Sequence, residues 1–220
     1  MSNFLEQALD YIVQLLWTVP AVLVSLTLHE YAHALTAYRL GDDTAKQAGR
    51  MTLNPIKHID PFGMIMMIVL RFGWAKPVPV DARRFKNPRA GMALVAAAGP
   101  VMNVLLSFVS VFLFYVLAYT WPDSTIVAYI TQFLAITAML SAGFAVFNLI
   151  PLPPLDGSRV AMMLIPQRWT YYINRYRIYI QIGMLALLYT GVLSGPLSTA
   201  RNWLILQIET AALWILNAIL

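Results

Sequence analysis

The sequence has no cysteine and little charge. Without cysteine there can be no disulfides, no thiolate catalysis and no thiolate-bound zinc. Asp, Glu, Lys and Arg make up 11% of the 220 residues, while 60% are hydrophobic. Soluble domains are typically about 25% charged and about 45–50% apolar. So large an apolar surface is excluded from water and suited to lipid. The formal net charge of +5 does not indicate nucleic acid, because the basic residues sit in the polar gaps between apolar runs. Met1–Asp10 carries Glu6 and Asp10 and no basic leader, so the first apolar run is expected to remain as an anchor.

The uncharged runs set the architecture, since about 20 apolar residues cross a bilayer as a helix. They are Tyr11–Leu28, continuing helically towards Leu40, then Ala90–Pro122, Ser124–Leu155 and Ile178–Ala200. A last segment, Asn202–Leu220, is shorter and interrupted by Glu209, so it either spans or lies at the interface. The expected fold is an all-α polytopic helix bundle of five to six spans, forming one domain over residues 1–220. Ten of the fifteen basic residues (Arg39, Lys46, Arg50, Lys57, Arg71, Lys76, Arg83, Arg84, Lys86 and Arg89) fall in one connecting segment. The positive-inside rule places that segment in the cytoplasm and the turn at Thr120–Thr125 outside. Trp169, Tyr171, Tyr172, Tyr176 and Tyr179 read as an interfacial aromatic belt.

Within the basic segment, Pro61–Leu70 is apolar but too short to cross, and reads as re-entrant or interfacial. It leads into Gly73–Val80, where Pro77 and Pro79 forbid a helix. A strand or β-hairpin is expected there, able to hold an extended substrate by strand addition.

The chemistry concentrates at His29-Glu30-Tyr31-Ala32-His33, an HExxH sequence on the first span. Residues four apart share a helix face, so both imidazoles can bind one metal, with Glu30 within reach of a water held there. The competing reading is a pair of hydrogen-bonded histidines. It is weak in a membrane span, where ionisable groups are costly and usually functional. A catalytic zinc site commonly takes three protein ligands, and His58, Asp60, Asp156 and more remote carboxylates are candidates for the third. Asp156 follows Pro151, Pro153 and Pro154 and precedes Gly157. Such a break in a span is tolerated only around a protein-lined or watery cavity, although a helix-capping role for Asp156 is the alternative. His58, in a basic loop, suits a surface, hydrogen-bonding or ligand-supporting role better than direct ligation.

HExxH early in the chain, followed by Asn148-x-x-Pro151-x-x-x-Leu155-Asp156-Gly157, resembles the site-2 protease family of intramembrane zinc metalloproteases. The likeness runs from about Thr27 to Arg159. It extends to Gly73–Val80, to Ala98-Gly99-Pro100 with Asn103, and to His58-Ile59-Asp60-Pro61, in the manner of short members without a PDZ insertion or CBS tail. It implies one Zn2+ per chain on His29, His33 and Asp156, with Glu30 as the catalytic glutamate and Asn148 and Asn103 touching substrate. It also implies transmembrane protein substrates and a multi-pass protein of the cell membrane whose active site opens to the cytoplasm. A metal transporter would spread polar groups through the bundle, and an inert membrane scaffold would have no use for Glu30.

Overall fold

The computed structural model describes residues 2–70 and 75–219. Helix α1 (Ser2–Arg39) carries Pro20 and is followed by a single turn, α2 (Thr44–Gln47). Next comes α3 (Pro61–Leu70), ten residues long and too short to cross, as its sequence implied. Helix α4 (Pro88–Thr120) starts at an Asn87 cap whose side chain accepts from the Ala90 N–H. Helix α5 (Thr125–Asn148) starts in the same way from Ser124. Three short helices follow: α6 (Asp156–Leu164), α7 (Gln167–Arg175) and α8 (Arg177–Tyr189). The last helix is α9 (Ser194–Ile219).

Among the described residues, four helical stretches are long and apolar enough to cross a membrane: Tyr11–Arg39, Pro88–Thr120, Thr125–Asn148 and Ser194–Ile219. The protein is therefore an all-α polytopic membrane protein, with a span count that differs from the sequence expectation at its C-terminal end. Ile178–Ala200 is not one span. Helix α8 stops at Tyr189, and Gly191 turns the chain with a φ of 73° that glycine adopts without a Cβ clash. Residues 202–219, from the segment expected either to span or to lie at the interface, fall within the long helix α9, whose Ile208 and Ala212 pack against Val111 of α4 and Ala138 of α5.

Packing follows membrane logic. Helix α4 is central and touches α1, α5, α6 and α9. Its buried positions include Gly91, Ala93, Ala96, Gly99, Ser107 and Ser110, while those of α5 include Ala138, Ser141, Ala142 and Ala145. Small residues let backbones approach where lipid supplies no hydrophobic drive, and hydroxyls bridge the helices. Ser25 and Ser141 share a 2.8 Å hydrogen bond, and Ser107 donates to Ala138 O at 2.9 Å. Large apolar side chains such as Leu16, Leu94, Val101 and Ile126 point outward, the reverse of a soluble core. The five aromatics of the expected belt are likewise exposed, on and between α7 and α8.

The strand or hairpin expected over Gly73–Val80 does not form among the described residues; Arg71, Gly73 and Trp74 lie outside them. One antiparallel bridge joins Ile59 to Ala75, and Lys76 N–H donates to His58 O at 2.9 Å. Beyond it the chain has no regular structure to Asp81. Pro77 and Pro79 lack the amide hydrogens that a second rung would use.

Candidate active site

His29 and His33 stand one turn apart on α1 and are both buried. Asp156 opens α6, immediately after the proline-rich break that ends α5. Leu155 rather than Asp156 occupies the capping position, and no side-chain cap bond is made there. The Asp156 carboxylate instead reaches across to α1. Its Oδ2 lies 3.0 Å from His29 Nε2 and 3.2 Å from His33 Nε2, and the two Nε2 atoms are 3.0 Å apart.

This donor set fits zinc. Tetrahedral ligands about 2.0–2.1 Å from the ion stand roughly 3.3–3.4 Å from one another, and the observed separations come within a few tenths of that. His33 Nδ1 lies 2.7 Å from Val95 O, so that nitrogen carries the proton and donates it. The Nε2 lone pair then points at the cluster. Two imidazoles and one carboxylate leave a fourth position for water or substrate, the pattern of catalytic rather than structural zinc. Among the described residues this trio is the one group of three or more His, Cys, Asp or Glu arranged to hold a metal. His58 lies elsewhere: it is buried, with Nε2 bonded to Thr52 O at 2.8 Å.

Two glycines make the convergence sterically possible. A Cβ at Gly99 would stand 2.5 Å from His29 Nε2 and 2.6 Å from His33 Cε1. A Cβ at Gly157 would stand 2.3 Å from Leu149 O. Gly99 thus lets α4 lie against both imidazoles, and Gly157 lets the start of α6 tuck under the end of α5. Pro100, next to Gly99 and fully buried, leaves the Ala96 carbonyl without its helical donor.

Glu30 is buried beside the trio but outside it, and its Oε2 accepts from Val78 N–H at 3.0 Å. Asn103 is wholly buried, with Nδ2 3.1 Å from His29 Nδ1. Asn148 is half-buried at the end of α5 and donates to Phe144 O of its own helix at 3.1 Å.

How the segment holding Val78 is anchored was barely legible in the sequence. Arg50, buried, donates to Lys76 O at one end. At the other, the fully buried Asp42 accepts from Asp81 N–H at 2.7 Å and from Thr44 N–H at 3.0 Å. Burial alone would push the Asp42 carboxyl up, but its bonds from Thr44 and the Asp81 amide, with the Arg84 charge, hold it below its ordinary value. Asp81 is lowered further, to about 2, by hydrogen bonds from the Arg83 side chain and amide. The one sequence sign was Gly41-Asp42-Asp43-Thr44 after a helix, where an Asp side chain commonly folds back onto the backbone.

A bundle of lipid-facing helices around an HExxH helix defines a multi-pass membrane metalloprotease. Residues 17–123 and 116–190 match Peptidase family M50, and the chain belongs to that family of zinc metalloproteases, the one to which site-2 proteases belong. It is 48% identical over 169 residues to "Putative zinc metalloprotease YwhC" of Bacillus subtilis, covering 76% of this chain and 75% of that one. It is 31% and 32% identical to the proteins called "Putative zinc metalloprotease Rip2" of Mycolicibacterium smegmatis and Mycobacterium tuberculosis, over 68% and 69% of this chain. These matches span 57% and 58% of the Rip2 proteins. No solved structure matches the chain significantly. Zinc is its cofactor.

Proposed function

We propose that the chain hydrolyses peptide bonds of membrane-spanning proteins within the bilayer, at a site opening to the cytoplasm, with His29, His33 and Asp156 holding one zinc ion and Glu30 acting as general base. The observation carrying this reading is the mutual approach of His29 Nε2, His33 Nε2 and Asp156 Oδ2 to 3.0–3.2 Å among lipid-facing helices. When bound, zinc supplies Lewis acidity, polarising the scissile carbonyl and acidifying a water molecule. Glu30 takes the proton from that water as it attacks, then delivers it to the departing amine. Glu30 suits the task because it neighbours His29 in sequence yet is not one of the clustered donors, leaving its carboxylate available. Its bond from Val78 N–H fixes that carboxylate and sets the Ala75–Val80 segment at the rim, where its backbone can meet an unwound substrate. Asn148, at the open end of α5, is the amide available for substrate contact.

The test is cleavage of a single-span protein by purified enzyme in vesicles, with the cut mapped by mass spectrometry. Scission inside the span, abolished by a chelator and restored by zinc, supports the proposal. Scission confined to soluble tails would overturn the intramembrane part. Sidedness is separable: with no native cysteine, Lys46→Cys should resist impermeant labelling from outside intact cells and Ser124→Cys should accept it.

A further inference from the structure

The two imidazoles meet the same face of α4. His33 Nδ1 is 2.7 Å from Val95 O, and His29 Nδ1 is 3.1 Å from the Asn103 amide. Gly99, midway between 95 and 103, clears both rings. Positions 95, 99 and 103 are four apart, so they line one stripe of the helix. The match is crosswise, later histidine with earlier acceptor, as two antiparallel helices require. The backbone serves His33; a side chain has to serve His29.

We infer that Asn103 is a positioning residue for the metal site, whose carbonyl Oδ1 accepts from His29 Nδ1–H and so fixes the ring with its Nε2 lone pair toward the zinc. The oxygen and nitrogen of an asparagine amide are nearly indistinguishable by shape, so its direction follows from its hydrogen bonds. An NH2 group facing His29 would require a lone pair on Nδ1, placing the ring proton on Nε2, where it would block ligation. Among the described residues the amide's other polar atom is buried without a hydrogen-bond partner, so no second bond there dictates which way the amide lies. Metal-binding histidines generally give their second N–H to such an acceptor, which orients the ring and raises its basicity. Asn103 is also too deeply buried, at 0% exposure, to be first met by substrate. The role replaces the substrate contact that the family resemblance implied.

The inference rests on His29 being a zinc ligand, and the test separates the two claims. Zinc affinity is measured by chelator competition on purified protein in detergent at fixed pH, for the wild-type chain, Asn103→Leu, Asn103→Asp and His29→Ala. Leucine keeps the bulk and removes the acceptor; aspartate keeps the acceptor and removes the NH2. Asn103→Leu should bind zinc roughly 10–100-fold more weakly, while Asn103→Asp stays within about threefold of wild type or binds more tightly. If the leucine variant fails to fold, Asn103→Ala takes its place in the comparison. Wild-type zinc affinity in the acceptor-free variant, with only KM raised, would make Asn103 a substrate contact and overturn the inference. Equal loss in the aspartate variant would overturn it too. Zinc retained by His29→Ala would instead overturn the ligand assignment beneath it.

Discussion

His29 Nε2 and Asp156 Oδ2 lie 3.0 Å apart although 127 positions separate them in the chain. The contact requires α1 to pack against α4, α4 against α6, and the chain to break between α5 and α6. A carboxylate is a costly guest among apolar helices unless a cation or proton answers it. The three-donor cluster supplies a place for the cation.

Asp156→Ala should therefore lose most of its zinc and all proteolysis, since two imidazoles do not complete a catalytic site. His58→Ala should keep its zinc, because that ring is bonded to Thr52 O and stands apart from the cluster. Metal analysis of both purified variants checks this. Zinc kept in the first and lost in the second would mean that the third ligand is misassigned.

Gly99→Ala should damage the site without removing any ligand. The new methyl group would stand 2.5 Å from His29 Nε2, so either α4 or both imidazoles must move. Zinc affinity and turnover should both fall, the latter by roughly 100-fold on the scale of about 1 Å misplacements. Gly183→Ala is the control, because nothing lies within 4 Å of its added carbon and alanine favours a helix by up to about 1 kcal/mol. Equal activity in the two variants would show that α4 is not pressed against the imidazoles.

Much of this was legible in the sequence, and the reasons differ by element. HExxH carries its own geometry, since helical spacing alone puts His29 and His33 on one face. Asp156 could be placed in a break by its prolines, but not within 3.2 Å of a particular nitrogen. The end of the bundle was misread because uncharged length was the signal. Ile178–Ala200 is uncharged and yet turns at Gly191, while α9 carries Arg201 and Glu209 and still runs unbroken. The anchors Asp42 and Arg50 escaped notice because they act largely on backbone atoms, which every residue has.

Asp42→Asn tests the anchor of the segment that reaches Glu30. Asp42 accepts through both oxygens, so an amide would set its NH2 against a backbone N–H, at a cost of about 1–3 kcal/mol. The variant should unfold at lower temperature and its 75–81 segment should be cut faster by added protease. The carboxyl's folded pKa is lowered, so its contribution is complete above the ordinary value of 3.8 and is lost as the pH falls below that value and through the folded pKa. Wild-type stability should accordingly fall more steeply on the acid side than that of Asp42→Asn, which keeps only the decline due to its other lowered carboxyls such as Asp81. Identical acid profiles for the two proteins would remove Asp42 from this role.

Glu30→Gln offers the most direct measurement of the central claim. The substitution preserves size and an acceptor oxygen for Val78 N–H but abolishes the base. Zinc content and cleavage of a membrane-spanning substrate are to be measured on the same purified, vesicle-reconstituted samples. The account predicts wild-type zinc content, about one ion per chain for a site of this kind, with cleavage at least about 100-fold below wild type. Cleavage near the wild-type rate with zinc in place would contradict it.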